Sequence, residues 1–154
     1  MASEIADLYD LQNGAENGGQ KAEIGDIGGR IRFLKLEHAF EADVLSIADT
    51  VKLAKLPKGA RVVDWFLYSA SLGTTGIFNF GWAASTDATE SADADGFAAT
   101  LDAGGQAVNH RALGGVVGLN KKFEAAVDVQ IAFTEATDDA LADELKGYIA
   151  YVID

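Results

Sequence analysis

Lys55-Leu56-Pro57-Lys58-Gly59, running into Ala60-Arg61-Val62-Val63-Asp64-Trp65-Phe66-Leu67-Tyr68-Ser69-Ala70, is the stretch on which the fold assignment turns. Proline fixes φ near −65° and removes a donor, and the glycine two positions later offers a permissive backbone, so the pentapeptide reads as a tight turn. The eleven residues after it are dense in β-branched and aromatic side chains, the signature of a strand. Gly76-Ile77-Phe78-Asn79-Phe80-Gly81-Trp82 is another such run, and Gly73-Thr74-Thr75-Gly76 between the two has hairpin chemistry.

The same chemistry extends in both directions. Upstream, Arg30-Ile31-Arg32-Phe33-Leu34-Lys35-Leu36-Glu37-His38 starts with Ile31 and Phe33 alternating with charges, then slips by one residue at Leu34 and Leu36. In a period-2 pattern that slip predicts a bulge or burial on both faces. Asp43–Ala48 and Thr50–Ala54 read as two short strands. Downstream, Glu124–Glu135 places Val127, Val129, Ile131 and Phe133 on one side. Leu145–Ile153 places Ile149, Tyr151 and Ile153 on one face and Tyr148, Ala150 and Val152 on the other. Residues 83–114, rich in Ala, Asp, Ser and Gly, lose the period and read as a long insert loop. Phe97 and Leu101, four apart, suggest a helical turn or two over Ala94–Leu101. Seven or eight strands with almost no amphipathic helix predict an all-β domain, an antiparallel β-sandwich of jelly-roll or related Greek-key type, over residues 30–154.

Residues 1–29 differ in composition. Asn13-Gly14, Asn17-Gly18-Gly19 and Gly28-Gly29 punctuate a polar, acidic stretch with few large apolar groups after Leu11, which reads as an extended N-terminal arm, with Asn-Gly also able to turn a small hairpin. The whole chain has 154 residues, 24 Asp+Glu against 12 Lys+Arg, a formal charge of −12 and no cysteine. About 150 residues bury roughly two thirds of their unfolded surface, enough for a core without disulfides or structural zinc. So acidic a chain gains nothing from counterion release on DNA or RNA, and no nucleic-acid partner is expected. Met1–Asp7 lacks a basic region followed by an apolar one, and no run approaches 18 apolar residues, so neither a signal peptide nor a membrane partner is expected.

Chemistry-bearing patterns are weak. Ser91-Ala92-Asp93-Ala94-Asp95-Gly96, with Asp102, loosely echoes a calcium loop, but begins with serine and ends on the shorter aspartate, so a solvated acidic loop is the preferred reading. His38 and His110 have no second histidine at ligand spacing, and structural roles are expected for both. No nucleophile elbow occurs, and Gly25–Gly28 and Gly114–Gly118 complete neither a phosphate loop nor a dinucleotide fingerprint. No enzyme activity, cofactor or metal is expected.

The run Leu56-Pro57-Lys58-Gly59-Ala60-Arg61-Val62-Val63-Asp64, with a short strand before it and an apolar strand and Gly81-Trp82 after it, resembles small structural proteins encoded beside the major capsid protein in tailed-bacteriophage genomes, which are similar to head decoration (cement) proteins. Ala92–Ala99 and the closing Gly147-Tyr148-Ile149-Ala150-Tyr151-Val152 fit the same pattern, so the resemblance covers roughly residues 30–153. It implies a jelly-roll-like domain, a homotrimer made in the host cytoplasm and bound outside the mature head. Its partners would then be the major capsid protein and further copies of itself.

From the residues, the shell contacts expected are Ile24, Ile27, Arg30 and Arg32 of the arm, and Lys55 and Lys58 of the turn, where cations stand out in an acidic chain. The alternative for the lysines is plain solvation. Trp65, Phe66, Tyr68 and Trp82 are the expected contacts between copies, against the alternative of core packing. A carbohydrate-binding appendage is the competing function, and it requires two of Trp65, Tyr68 and Trp82 to be exposed along one groove.

Overall fold

The computed structural model describes residues 30–40, 45–72, 75–112, 117–137 and 144–153. Among them are eight strands: β1 (Arg32–Ala39), β2 (Thr50–Leu56), β3 (Ala60–Ser69), β4 (Ile77–Trp82), β5 (Asp93–Asp102), β6 (Val108–Arg111), β7 (Val127–Phe133) and β8 (Glu144–Ile153). They form two four-stranded sheets in the orders β1-β8-β3-β6 and β2-β7-β4-β5. Every pairing is antiparallel. β1 pairs β8, β2 pairs β7, β3 pairs β6 and β4 pairs β5, so the first half of the chain lies against the second half like one long ribbon rolled up. That is the jelly-roll arrangement of two packed sheets, as the strand chemistry predicts.

Each strand turns one side to the other sheet. In β7, Val127, Val129, Ile131 and Phe133 are all buried. In β3 the buried set is Ala60, Val62, Trp65, Leu67 and Ser69. The spacing of three between Val62 and Trp65 is absorbed by a register shift against β8, which leaves the bulged Val63 partly exposed. The core is strongly aromatic. Trp65 of the first sheet meets Phe80 of the second edge-on at 5.1 Å, Phe80 lies 5.0 Å from Phe97, and Trp82 lies 5.1 Å from Phe97 and 5.0 Å from Phe123. Each such pair adds about 0.5–1.5 kcal/mol beyond the area it buries.

The turn reads as expected. Ala60 N–H donates to Pro57 O, and Gly59 has φ 79°, the positive value needed at the third position of a type II turn. This turn carries the chain from one sheet to the other.

Four expectations fail. Residues 83–114 are no structureless insert: they contain β5 and β6, each an edge strand of its sheet. Ala94–Leu101 is strand, with Phe97 fully buried, and not a helical turn. Its alanines and aspartates have low strand propensity, and two register shifts against β4, together with Thr100 at φ 55°, erase the period-2 signal. Gly73–Gly76 does not close a hairpin, since β3 and β4 lie in different sheets; Gly73 and Thr74 themselves lie outside the described residues. Of Asp43–Ala48, the first two positions lie outside them as well, and the rest is turn: Ser46 N–H donates to Asp49 Oδ2, Asp49 N–H donates to Ser46 O, and Ala48 has φ 73°.

The two core tryptophans provide a test. Trp82 Nε1 donates to Ser91 O at 2.9 Å, whereas Trp65 Nε1 has no hydrogen-bond partner among the described residues. Both Trp→Phe changes lose ring volume, but only Trp82→Phe strands a carbonyl, so it should be the more destabilising by about 1 kcal/mol. Urea unfolding of the two variants measures this; equal midpoints would contradict it.

Candidate docking surfaces

The register gathers the expected shell-contacting cations at one end of the sandwich. Arg32 opens β1 opposite Tyr151, which is itself opposite Val62 of β3. Ala60 sits opposite Ile153, and the turn with Lys58 leads into it. Arg61 bridges to Lys122. Arg30, Arg32, Lys55, Lys58, Arg61 and Lys122 therefore share that end. Arg30, Arg32, Lys55 and Lys58 are exposed. Lys55, at the end of β2 and largely exposed, flanks Asp128 together with Lys52, at 3.8 and 2.8 Å. The Lys52 hydrogen bond and both ammonium charges hold the Asp128 carboxyl below its usual range. The β4–β5 connection brings carboxylates to the same end. Burial pushes Glu90 up, but its bonds from Lys121 (2.9 Å) and from the Glu124 N–H outweigh that and hold it below the ordinary value. The other end of the sandwich carries Asp49, Asp102, Glu135 and Glu144. Ile24 and Ile27 lie outside the described residues.

The four expected inter-copy contacts separate into two groups. Trp65 and Trp82 are 1% and 2% exposed and belong to the core, so neither ring can meet a partner or stack on a sugar. Only Tyr68 of the three rings offered for a glycan groove reaches the surface. Phe66 and Tyr68 lie on the outer face of the first sheet, half-buried among their neighbours.

That outer face holds a feature the sequence reading missed. Phe33 of β1, Tyr148 of β8, Phe66 of β3 and Arg111 of β6 stand side by side across all four strands. Phe33 meets Tyr148 edge-on at 5.5 Å, Tyr148 stacks with Phe66 at 5.9 Å, and the Arg111 guanidinium lies 5.6 Å from the centre of the Phe66 ring. The register explains the row: Phe66 is opposite both Tyr148 and Arg111, and Phe33, opposite Ala150, is diagonal to Tyr148. Phe33 is 69% exposed, and Ile31, two residues earlier, is 56% exposed. The phase slip at Phe33-Leu34 is thus neither a bulge nor burial on both faces. The β1–β8 register runs unbroken from Arg32 to Ala39, Leu36 is buried, and Phe33 faces outward.

No chemistry converges elsewhere among the described residues. Asp93 and Asp102 mark opposite ends of β5, roughly 30 Å apart at strand rise, so the calcium-loop pattern does not close. Among the described residues no group of three or more His, Asp or Glu gathers as for a metal. Burial, then the neighbouring Asp95, pushes the Asp93 carboxyl up. Gly96 serves packing: a Cβ there would lie 2.2 Å from the Trp82 ring. His110 and Ser69 approach to 3.4 Å inside the sandwich, where both are buried, with Phe78 edge-on to the imidazole at 5.8 Å. His38 is half-buried against Phe40.

Comparison with known proteins finds no matching family model and no matching curated protein. Solved structures do match. A chain in the capsid of Ralstonia phage GP4 superposes with a TM-score of 0.69 at 17% identity, over 89% of this chain and 93% of that one. A chain in the Cyanophage Pam1 capsid asymmetric unit gives 0.56 at 21% identity, over 83% and 88%. A chain in the acidic stable capsid of Helicobacter pylori bacteriophage KHP30 gives 0.51 at 16%, over 80% and 87%. The fold is one that phage capsids contain. At these identities the likeness establishes the architecture, and it spans nearly the whole of each chain.

Two variants test the assignments of Gly96 and His110. Gly96→Ala should destabilise by about 1–3 kcal/mol through overpacking on Trp82, and added calcium should not change the unfolding midpoint of either protein. Burial holds the His110 pKa below its usual value of about 6.5, so the unfolded chain takes up that proton first as pH falls. Stability is therefore expected to start falling below about pH 6.5, ahead of carboxylate titration, and His110→Gln should remove that early loss. Urea midpoints between pH 7.5 and 5 check this; parallel profiles for the two proteins would contradict it.

Proposed function

We propose that this protein is a virion structural protein that binds the outer surface of a phage capsid and stabilises the expanded shell by bridging neighbouring capsid subunits. The observation that supports this most directly is the shared fold, which extends over at least 80% of this chain and of each of three chains found in phage capsids. Adhesion needs no converging catalytic groups. It needs surface contacts that repeat, and a homotrimer presents each contact three times to a shell of matching local symmetry.

In this reading the end that carries Arg30, Arg32, Lys55 and Lys58 faces the major capsid protein, and Ile24 and Ile27 of the arm lengthen the footprint. An extended arm pairs readily with an unpaired strand edge and orders as it binds. Phe66 and Tyr68 are the contact between copies; Trp65 and Trp82, being core residues, are not. The protein is made in the host cytoplasm and ends in the virion.

Purified protein mixed with expanded and with unexpanded empty capsids, followed by sedimentation, tests the proposal. Saturable binding to expanded shells is expected. Lys55→Glu with Lys58→Glu, or deletion of residues 1–29, should weaken it at least tenfold while the folded domain survives. Absence of binding to either shell, together with retention on a glycan array, would replace this reading with the carbohydrate-binding one.

A further inference from the structure

Two four-stranded sheets have four edges, and among the described residues three of them are short or irregular. β6 has four residues. β2 shifts register against β7 between Lys52 and Ala54, and β5 shifts twice against β4 and carries Thr100 at φ 55°. Short or bulged edges discourage a further strand from pairing. β1 is different. Its eight residues keep an unbroken register with β8, and among the described residues no strand lies beyond it. Such an edge presents a row of backbone N–H and C=O groups of the kind that accepts another strand.

The charges along β1 select which strand fits. Phe33, Lys35, Glu37 and Ala39 are exposed on the outward side, and Leu34, Leu36 and His38 take the inward side. Lys35 and Glu37 already pair along the strand. A charged edge turns most strands away, but this one is complementary to itself. Residues opposite one another in an antiparallel pair point to the same side of the sheet, so two copies of the sandwich face the same way only when outward residues meet outward ones. Of the registers that satisfy this for β1 against β1, the one centred on Leu36 sets Lys35 opposite Glu37 of the second copy and Glu37 opposite Lys35 of the second copy. Centring on Lys35 or on Glu37 sets like charges face to face, and no other register of this kind sets opposite charges face to face within Arg32–Ala39. In the Leu36 register the small Ala39 stands opposite Phe33, and Leu34 opposite His38. Each of the four charges then has an opposite charge beside it and another across from it, with its like only on the diagonal.

We propose that two copies of this chain pair edge to edge through β1, antiparallel and in this register, so that their β1-β8-β3-β6 sheets join into one continuous sheet about a twofold axis.

This contact goes beyond the one proposed at Phe66 and Tyr68. Those rings stand on the outer face of the sheet, whereas the β1 contact runs along its edge, so neither uses the groups of the other. A homotrimer built at the outer face keeps three β1 edges, each of which joins a neighbouring trimer. The formal charge of −12 on every copy opposes both contacts alike. Salt at about 0.15 M confines that repulsion to roughly 8 Å, while backbone hydrogen bonds and directly opposed ion pairs act at closer range. The pairing uses no residue of the leader that precedes β1.

The chain has no cysteine, so single cysteines report the register. Full-length Lys35→Cys and Glu37→Cys proteins are mixed at about 0.15 M salt under mild oxidation, and disulfide-linked dimer is measured against each protein alone. Opposite residues lie within disulfide reach and diagonal ones, about 7–8 Å apart, lie beyond it, so the mixture should give several-fold more dimer than either protein alone. Equal yields, or no dimer in the mixture, would overturn the proposal. Sedimentation equilibrium of Lys35→Glu and Glu37→Lys proteins is the second readout; both side chains are exposed, so the fold tolerates the changes. Each variant alone sets like charges across the axis and should self-associate several-fold more weakly than the parent, although one raises the net negative charge and the other lowers it. Mixed, the two should associate at least as strongly as the parent. A Glu37→Lys protein that associates as strongly as the parent would make net charge the governing factor and overturn the proposal. Neither measurement involves a shell, so its failure is distinct from a failure to bind capsids.

Discussion

A strand in a two-layer sandwich has two sides, and only one of them can face the other sheet. In the first sheet of this protein both sides carry large apolar groups. The inner set, Leu36, Trp65, Leu67 and Ile149, is buried against the second sheet and joins its aromatic cluster through Trp65 and Phe80. The outer set, Phe33, Phe66 and Tyr148, then has nowhere to go but the surface, where the rings pack on one another and on Arg111. The second sheet has no such surplus. Its outward-facing groups include Lys52, Lys55 and Asp128, joined as an ion-pair group, and Asn79, whose side chain accepts from Thr100 N–H. One charged, ion-paired face and one face with exposed rings follow from this difference in pattern.

The rolled-ribbon topology then decides what these groups are near. Because β1 pairs β8 and β3 pairs β8, residues more than a hundred positions apart in sequence, Phe33 and Tyr148, become neighbours. Because β2 crosses to β3 through the Pro57–Gly59 turn, Lys55 and Lys58 arrive at the end of the sandwich where Arg30 and Arg32 enter. Both candidate surfaces are therefore products of long-range pairing, and both adjoin the point where the leader joins the domain.

How far the sequence disclosed this varied with how regular each segment is. β7 was legible because its apolar residues keep a period of two, and β3 and β8 because they are dense in β-branched and aromatic residues. The jelly roll as a class was legible from their number and from the turns between them. β5 was hidden because alanine and aspartate are poor strand formers and its two register shifts break the period; what makes it a strand is pairing with β4 and the burial of Phe97, neither of which is local. The separation of β3 from β4 was hidden for a similar reason: local turn chemistry cannot tell a hairpin from a crossover between sheets. The aromatic row did leave a trace, the phase slip at Phe33-Leu34. By period alone that slip means a bulge or burial on both faces; in the structure it marks an exposed surface instead. Trp65 and Trp82, offered as surface contacts for their size, were drawn instead into the core that such large rings help to fill.

The function proposed for this β-sandwich is adhesion, through its outer faces and the end that carries Arg32, Lys55 and Lys58. The most direct measurement is an electron cryo-microscopy reconstruction of expanded phage shells saturated with the full-length protein. The account predicts ordered density for three sandwiches about a local threefold on the outside of the shell, with Lys55, Lys58 and Arg32 at the shell contact. Shells bare of added density at saturating protein, or sandwiches attached through the Asp102 and Glu144 end, would contradict it.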